Sequence, residues 1–156
     1  MKTNGPHIRL VLWKAHKAVE AVDKASIEAT GLGLSDFAVL EALLHKGPLP
    51  VNTIGKKVLL TSGSISTAVD RLSRKGLVQR RRDPEDRRVF QVHLTESGRR
   101  VIEAAYAGHS RNLEAVADVL TANERSTLIR LLKKLGRHAE SRTPQPVPNP
   151  IAGERK

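Results

Sequence analysis

The side chains with chemistry to offer gather in two neighbouring stretches. Residues 80–90 read RRRDPEDRRVF: three arginines, an acidic turn at Asp83-Pro84-Glu85-Asp86, two more arginines, then an apolar alternation. Just before it, SGSISTAVDRLSRKG (62–76) places Ile65, Ala68, Val69 and Leu72 at helical spacing, and the other side shows Ser62, Ser64, Ser66, Thr67, Asp70, Arg71 and Arg74. Small hydroxyl residues near a helix N-terminus let the helix enter a major groove closely and hydrogen-bond base edges or phosphates. Such a face can also be a merely solvated surface, and the adjoining arginines shift the balance. Residues 71–88 hold eight basic and three acidic side chains. In one reading Asp83 and Asp86 pair with arginines on a solvated turn. In the other they shape the turn and aim Arg87 into a narrow minor groove, while Arg80, Arg81, Arg82 and Arg88 meet phosphates. Both readings can hold for different arginines.

The composition narrows the alternatives. The 156 residues fit one domain with a tail, and 27 Lys+Arg against 16 Asp+Glu leave a formal charge of +11. Such an excess favours a polyanionic partner. With no cysteine, disulfides, thiolate metal sites and cysteine redox switches are excluded. An enzyme would need a nucleophile with its base, a carboxylate pair or a metal cage, and no such constellation stands out. No apolar run approaches the roughly 20 residues of a membrane span, and the N-terminus lacks a signal-peptide pattern. A cytoplasmic protein without a cofactor is expected, associated with the nucleoid when bound to DNA.

The elements that must position these residues follow from periodicity. Ile8, Val11, Leu12, Ala15, Val19 and Val22, at three-and-four spacing, mark an amphipathic helix stopped by Gly31 and Gly33. A second begins after Ser35, buries Phe37, Leu40, Leu43 and Leu44, and ends at Gly47-Pro48. A short third helix in PVNTIGKKVLL (50–60) turns Val51, Ile54 and Val58 inward. Thr61 then caps the 62–75 helix, and Gly76 follows as its C′ residue. The period changes for two strands, LVQRRR and RVFQVHL, with Phe90, Val92 and Leu94 alternating. Thr95 caps a long helix, and a capping box at Thr121–Glu124 opens the last one. From Ser141 on, alternate prolines mark a tail expected to be disordered. The expected fold is mostly α with a small β-hairpin (α+β): a winged helix-turn-helix at 35–98, helices for dimerisation at 1–34 and 99–140, and the tail at 141–156.

The stretches DPEDRR (83–88), LTESG (94–98) and VDRLSRKGLV (69–78) resemble the MarR family of bacterial transcriptional regulators. HKGPLPVNTIGKKVLLTSGSISTAVDRL (45–72) more narrowly resembles its MhqR-like branch. The resemblance covers residues 8–138 in element order and implies a homodimer in which the first and last two helices of each chain interleave. The apolar surface of the 8–29, 95–120 and 121–138 helices, more than one winged lobe can cover, supports this independently. By motif position Gly63, Ser64, Ser66 and Thr67 fall where the family's recognition helix meets bases, and Arg87 falls at the wing tip. With Ser62, Arg71, Arg82 and Arg88 they make up the expected contacts to double-stranded DNA at an inverted-repeat operator.

The resemblance also implies a small anionic or aromatic ligand between stem and lobe. Trp13, His16, His45, Tyr106 and His109 could line its pocket. Each could equally be a packed or solvated side chain, the more frequent role for such positions. His109 has Ala105 and Leu113 at i±4, so its helix lacks a second histidine at metal-ligand spacing. The expected activity is repression by a homodimer, relieved by an aromatic, phenolic or quinone-like compound. The competing reading is a constitutive architectural DNA-binding protein that ignores small molecules.

Overall fold

The computed structural model describes residues 3–58, 62–83, 86 and 88–142, with the side chains of 56–58 and 62 left undescribed. Thr61, Arg87 and the proline-rich tail from residue 143 on therefore lie outside the described residues. Helix α1 (Gly5–Glu28) starts three residues before its apolar pattern does. Asn4 caps it, accepting the His7 N–H at 3.1 Å, and Pro6 sits in the first turn, where a missing N–H is harmless. Helix α2 (Leu34–Lys46) starts at Leu34 behind Gly33, with no side-chain cap, rather than after Ser35. The Ser35 hydroxyl instead accepts the Arg71 guanidinium at 3.2 Å.

Strand β1 (Leu49–Pro50) leads directly into α3 (Val51–Val58), followed by α4 (Ser62–Arg74), β2 (Val78–Arg82) and β3 (Phe90–Leu94). The strands form an antiparallel sheet of order β1-β3-β2, with Leu49 opposite Val92 and Val78 opposite Leu94. The expected hairpin thus has a third strand. Two residues are too short to show a period of two, and Pro50 directly precedes the helical pattern that begins at Val51. One core joins the lobe: Phe37 and Leu40 from α2, Ile54 from α3, Ile65 and Leu72 from α4, and Val92 from β3 are all essentially inaccessible. Of the alternating β3 residues Val92 is buried, Leu94 half-buried and Phe90 exposed, because the hairpin runs out beyond the core toward its tip.

The motif LTESG makes the joint to helix α5 (Glu96–Ala117). Thr95 Oγ1 accepts the Gly98 N–H at 3.0 Å and donates to the Gly76 carbonyl at 2.7 Å. The Thr95 N–H donates to the Leu77 carbonyl at 3.1 Å. Gly76 itself has φ +68°, the left-handed conformation that ends α4. Gly98 lies so close to the α4–β2 turn that a Cβ there would sit 1.9 Å from the Leu77 carbonyl oxygen.

By compactness the chain divides into two units, Met1–Val116 and Ala117–Lys156. In the second, α6 (Ala122–Ser141) opens with the capping box: the Glu124 N–H reaches Thr121 Oγ1, and Glu124 Oε2 accepts the Thr121 N–H at 2.8 Å. That backbone N–H holds the Glu124 carboxyl below its usual range. Leu128, Leu131, Leu132 and Leu135 are exposed along one side of α6, as are Ile8, Val11 and Leu12 on α1, and Trp13 is exposed as well.

Since backbone at the α4–β2 turn fixes the space over Gly98, Gly98→Ala should destabilise the fold by about 2–3 kcal/mol, the upper part of the overpacking range. A lowered denaturant midpoint at unchanged slope would show it.

Candidate nucleic-acid interface

Helix α4 docks through Ile65, Ala68, Val69 and Leu72, all buried, and leaves Gly63, Ser64, Ser66, Thr67, Asp70 and Arg74 exposed. Ser62 is its first residue. The first two turns thus present short polar side chains at the positive end of the helix dipole. No bulky group there holds a surface away from the backbone.

Two adjacent residues pin this helix on either side. Arg71 reaches back to α2, where Nε donates to both Asp36 oxygens at 3.0 Å and Nη2 to Oδ1 at 2.5 Å. The Asp36 side chain is 3% exposed, and Lys75 Nζ stands 3.7 Å from its Oδ2. The carboxylate in turn raises the Arg71 pKa further. Asp70 points the other way and accepts Arg80 of β2 at 2.6 Å. Arg71, expected among the DNA-facing residues, has its guanidinium held by α2, so positioning α4 is the role its geometry supports.

The wing tip is organised by its acids. Asp83 Oδ1 accepts the Asp86 N–H at 3.1 Å, and Asp83 Oδ2 accepts the Gln91 amide. Asp86 Oδ1 accepts the Arg88 N–H at 3.0 Å and lies 3.3 Å from Arg88 Nε. The Arg88 side chain remains 92% exposed. Arg82 lies over the Phe90 ring at 5.3 Å, a cation–π contact that holds the guanidinium near the tip. Arg81 is exposed. Of the wing arginines, Arg80 is paired with Asp70 at the surface, and Arg81, Arg82 and Arg88 also keep exposed surface around the turn. Arg87 lies outside the described residues.

The five ligand candidates divide. His45 packs edge-on to Tyr106 at 4.6 Å between ring centres, and Tyr106 lies 6.3 Å from His109. His109 is buried edge-on to Phe37 at 4.8 Å, with Nδ1 3.2 Å from Ser26 Oγ and Nε2 3.5 Å from Asp23 Oδ1. Asn112 donates to the same Ser26 hydroxyl at 3.0 Å. Glu41 is half-buried in their field. Burial raises its carboxyl above the usual range, against the pull of His109 and His45. Trp13 and His16 are exposed on α1 and make none of the contacts described in this cluster. Two open grooves of about 430 and 500 Å³ share Ser26, Ala29 and Asn112, and none of the five candidates lines either. Sequence reasoning missed Asp23, Ser26, Glu41 and Asn112, whose partners come from distant elements; only their polarity on otherwise apolar helix faces hinted at them. Among the described residues no group of three or more His, Asp or Glu is placed to hold a metal ion.

A polar-faced helix seated beside a basic antiparallel hairpin defines a winged helix-turn-helix DNA-binding regulator. Comparison with known proteins gives the same answer. A model of the MarR family matches residues 30–89. The HTH-type transcriptional regulator MhqR of Bacillus subtilis is 36% identical over 131 residues, 84% of this chain and 90% of that one. A probable transcriptional regulator from Pseudomonas aeruginosa superposes with a TM-score of 0.68 at 32% identity, covering 82% and 96% of the two chains. Bordetella bronchiseptica BpsR, whose DNA binding is regulated by 6-hydroxynicotinic acid, superposes with a TM-score of 0.70 at 25% identity, covering 86% and 94%. The chain belongs to the MarR family of DNA-binding transcriptional regulators.

Arg71→Ala would leave the buried Asp36 carboxylate with Lys75 alone. A loss of about 3 kcal/mol in unfolding free energy is expected, the lower end for breaking a buried pair. Denaturant titration measures it, and Arg71→Lys should fall between, since an ammonium lacks the two-pronged fit.

Proposed function

We propose that the chain acts as a homodimeric repressor that reads an inverted-repeat operator and is released by a small aromatic ligand. The observation that carries the DNA reading is the exposed Gly63–Thr67 face of α4, pinned beside a wing whose Arg81, Arg82 and Arg88 keep exposed surface. In this reading Ser62, Gly63, Ser64, Ser66 and Thr67 meet the major groove, Arg82 and Arg88 meet phosphates, and Arg87 enters the minor groove. The exposed leucines of α6 and apolar residues of α1 supply a two-fold interface. It sets two lobes roughly one helical turn apart on the DNA. No catalytic role is proposed.

The ligand half of the proposal rests on the His45–Tyr106–His109 cluster, whose edge-on rings could stack an aromatic guest, and on the regulation of BpsR by an aromatic acid. Trp13 and His16 would join such a site only if the dimer brings them to it.

One set of titrations tests both halves. Operator fragments, selected from a random duplex pool by the full-length protein, should contain an inverted repeat. Their affinity should fall with a log–log salt slope on the order of −5 or steeper. Thr67→Ala should change the preferred base at one or two positions, and Arg87→Ala should cost ~1–3 kcal/mol, more with A·T-rich flanks. Aromatic acids, phenols and quinones added to the complex should include one that weakens binding. A flat salt response would remove the wing from the DNA. Indifference to every compound would leave the constitutive architectural protein as the correct account.

A further inference from the structure

Helix α6 carries a second basic surface far in sequence from α4 and the wing. Arg130, Lys133, Lys134 and Arg137 recur at i, i+3, i+4 and i+7, and share one open face of α6 with Ser126, Ile129 and His138. All four are exposed, and none takes part in an ion pair described for this chain. This contrasts with the cations around the DNA-reading face, where Arg71, Arg80 and Arg88 each meet a carboxylate. Even on α6, Arg125 is tied to Asp118 at 2.8 Å, and Glu124 is occupied by Thr121.

The placement of the four cations around the helix is informative. At about 100° per residue they centre roughly opposite Leu128, Leu131, Leu132 and Leu135. If the leucines meet a partner copy, as in the function proposed above, the cations remain outward on both protomers. A basic amphipathic helix could also lie on an anionic membrane, but there its apolar face must enter the lipid, and the dimer has claimed that face. What remains is a row of fixed charges bordered by a single exposed isoleucine, Ile129, among the residues that share the face. That suits a partner bound mainly by charge. Residues 130–137 rise about 10 Å along the helix, against which a duplex presents about six phosphates.

We propose that the basic face of α6 holds a second DNA duplex by its phosphates, without reading its sequence, so that a dimer bound through its winged lobes can bridge to another DNA segment. The inference rests on the dimeric, DNA-binding reading, and its test separates the two. A 30-base-pair duplex of random sequence is immobilised and saturated with full-length protein. A fluorescent duplex of the same length is then added, and its capture is measured across a salt series. Three proteins are compared: the parent, an α6 variant (Arg130→Gln, Lys133→Gln, Lys134→Gln, Arg137→Gln) and a wing variant (Arg81→Gln, Arg82→Gln, Arg88→Gln). Glutamine is a good helix former, and melting and light scattering check that fold and dimer persist. The milder Lys133→Gln, Arg137→Gln pair provides a graded second reading.

The α6 variant should bind the immobilised duplex within about 2-fold of the parent but capture at least ~10-fold less of the second, with the salt slope of capture reduced by on the order of 3–4 for four lost phosphate contacts. The wing variant should hold the immobilised duplex only through α6, more weakly than the parent, and should capture almost none of the second. Undiminished capture by the α6 variant overturns the inference while the regulator reading stands, and so does capture that depends on the wing alone. Binding of the parent to phosphatidylglycerol vesicles that the α6 variant loses, with second-duplex capture unchanged, assigns the face to membranes and likewise overturns it. A parent that binds no duplex at all overturns both readings.

Discussion

A carboxylate buried at the start of α2 must meet a cation, and the geometry of the exposed α4 face, proposed above to read DNA, follows from which cation that is. Asp36 is 2% exposed, and an ion removed from water without a partner is expensive. Arg71 satisfies it with a two-pronged approach. The apolar stripe of α4 alone would allow the helix to rock or slide on the core, since burial is non-directional. The guanidinium fork admits few orientations. It fixes the rotation of α4 about its own axis, and with it the direction in which Ser64, Ser66 and Thr67 point. One residue earlier, Asp70 takes Arg80, so the same helix turn also contacts the hairpin. Helix and wing are placed relative to each other before any DNA arrives, which lowers the ordering cost of binding.

The same corner of the lobe lies one residue from the aromatic cluster. Phe37, next to Asp36, packs against His109, and His109 is tied to α1 through Ser26 and Asp23. A guest that displaced His109 would press on the first turn of α2, where the pin on α4 is anchored. The second connection runs along α5, whose N-terminal joint at Thr95 and Gly98 grips the Gly76–Leu77 turn at the end of α4. Both connections are short and made of packed or hydrogen-bonded groups. Adjacency of this kind gives a guest at the aromatic cluster a physical route to α4.

How much of this was legible in the sequence depended on the range of the interaction. The helices with three-and-four spacing, the stripe Ile65-Ala68-Val69-Leu72, the Thr121–Glu124 box and the glycine after α4 are local, and each could be read from neighbours a few residues apart. The start of α1 was missed because its cap, Asn4, precedes the apolar pattern. β1 was missed because Leu49 and Pro50 become a strand only through residues 91 and 92. Arg71 looked like a DNA contact because its partner stands 35 positions away. No periodicity links the two, and nothing about an arginine on a polar face says which way its long side chain turns. The motif LTESG supported the resemblance, but its physical meaning, a glycine pressed onto a carbonyl oxygen, required the fold.

The acids of the lobe show how a surface proposed to meet phosphate can carry so many of them. Asp36, Asp70, Asp83 and Asp86 all lie in or beside α4 and the wing, where free carboxylates would repel a polyanion. Each is engaged: Asp36 by Arg71 and Lys75, Asp70 by Arg80, Asp83 by the Gln91 amide and a backbone N–H, Asp86 by Arg88 and its N–H. Asp36 is paired with a cation inside the protein and Asp70 and Asp86 at its surface, and a charge so paired contributes little at the distance of a bound duplex. Within the acidic turn, Asp83 and Asp86 accept backbone N–H groups, a task that lysine or arginine has no acceptor to perform. The acids therefore supply the shape of the wing and the surrounding arginines its charge, which is the division of labour that RRRDPEDRRVF encodes.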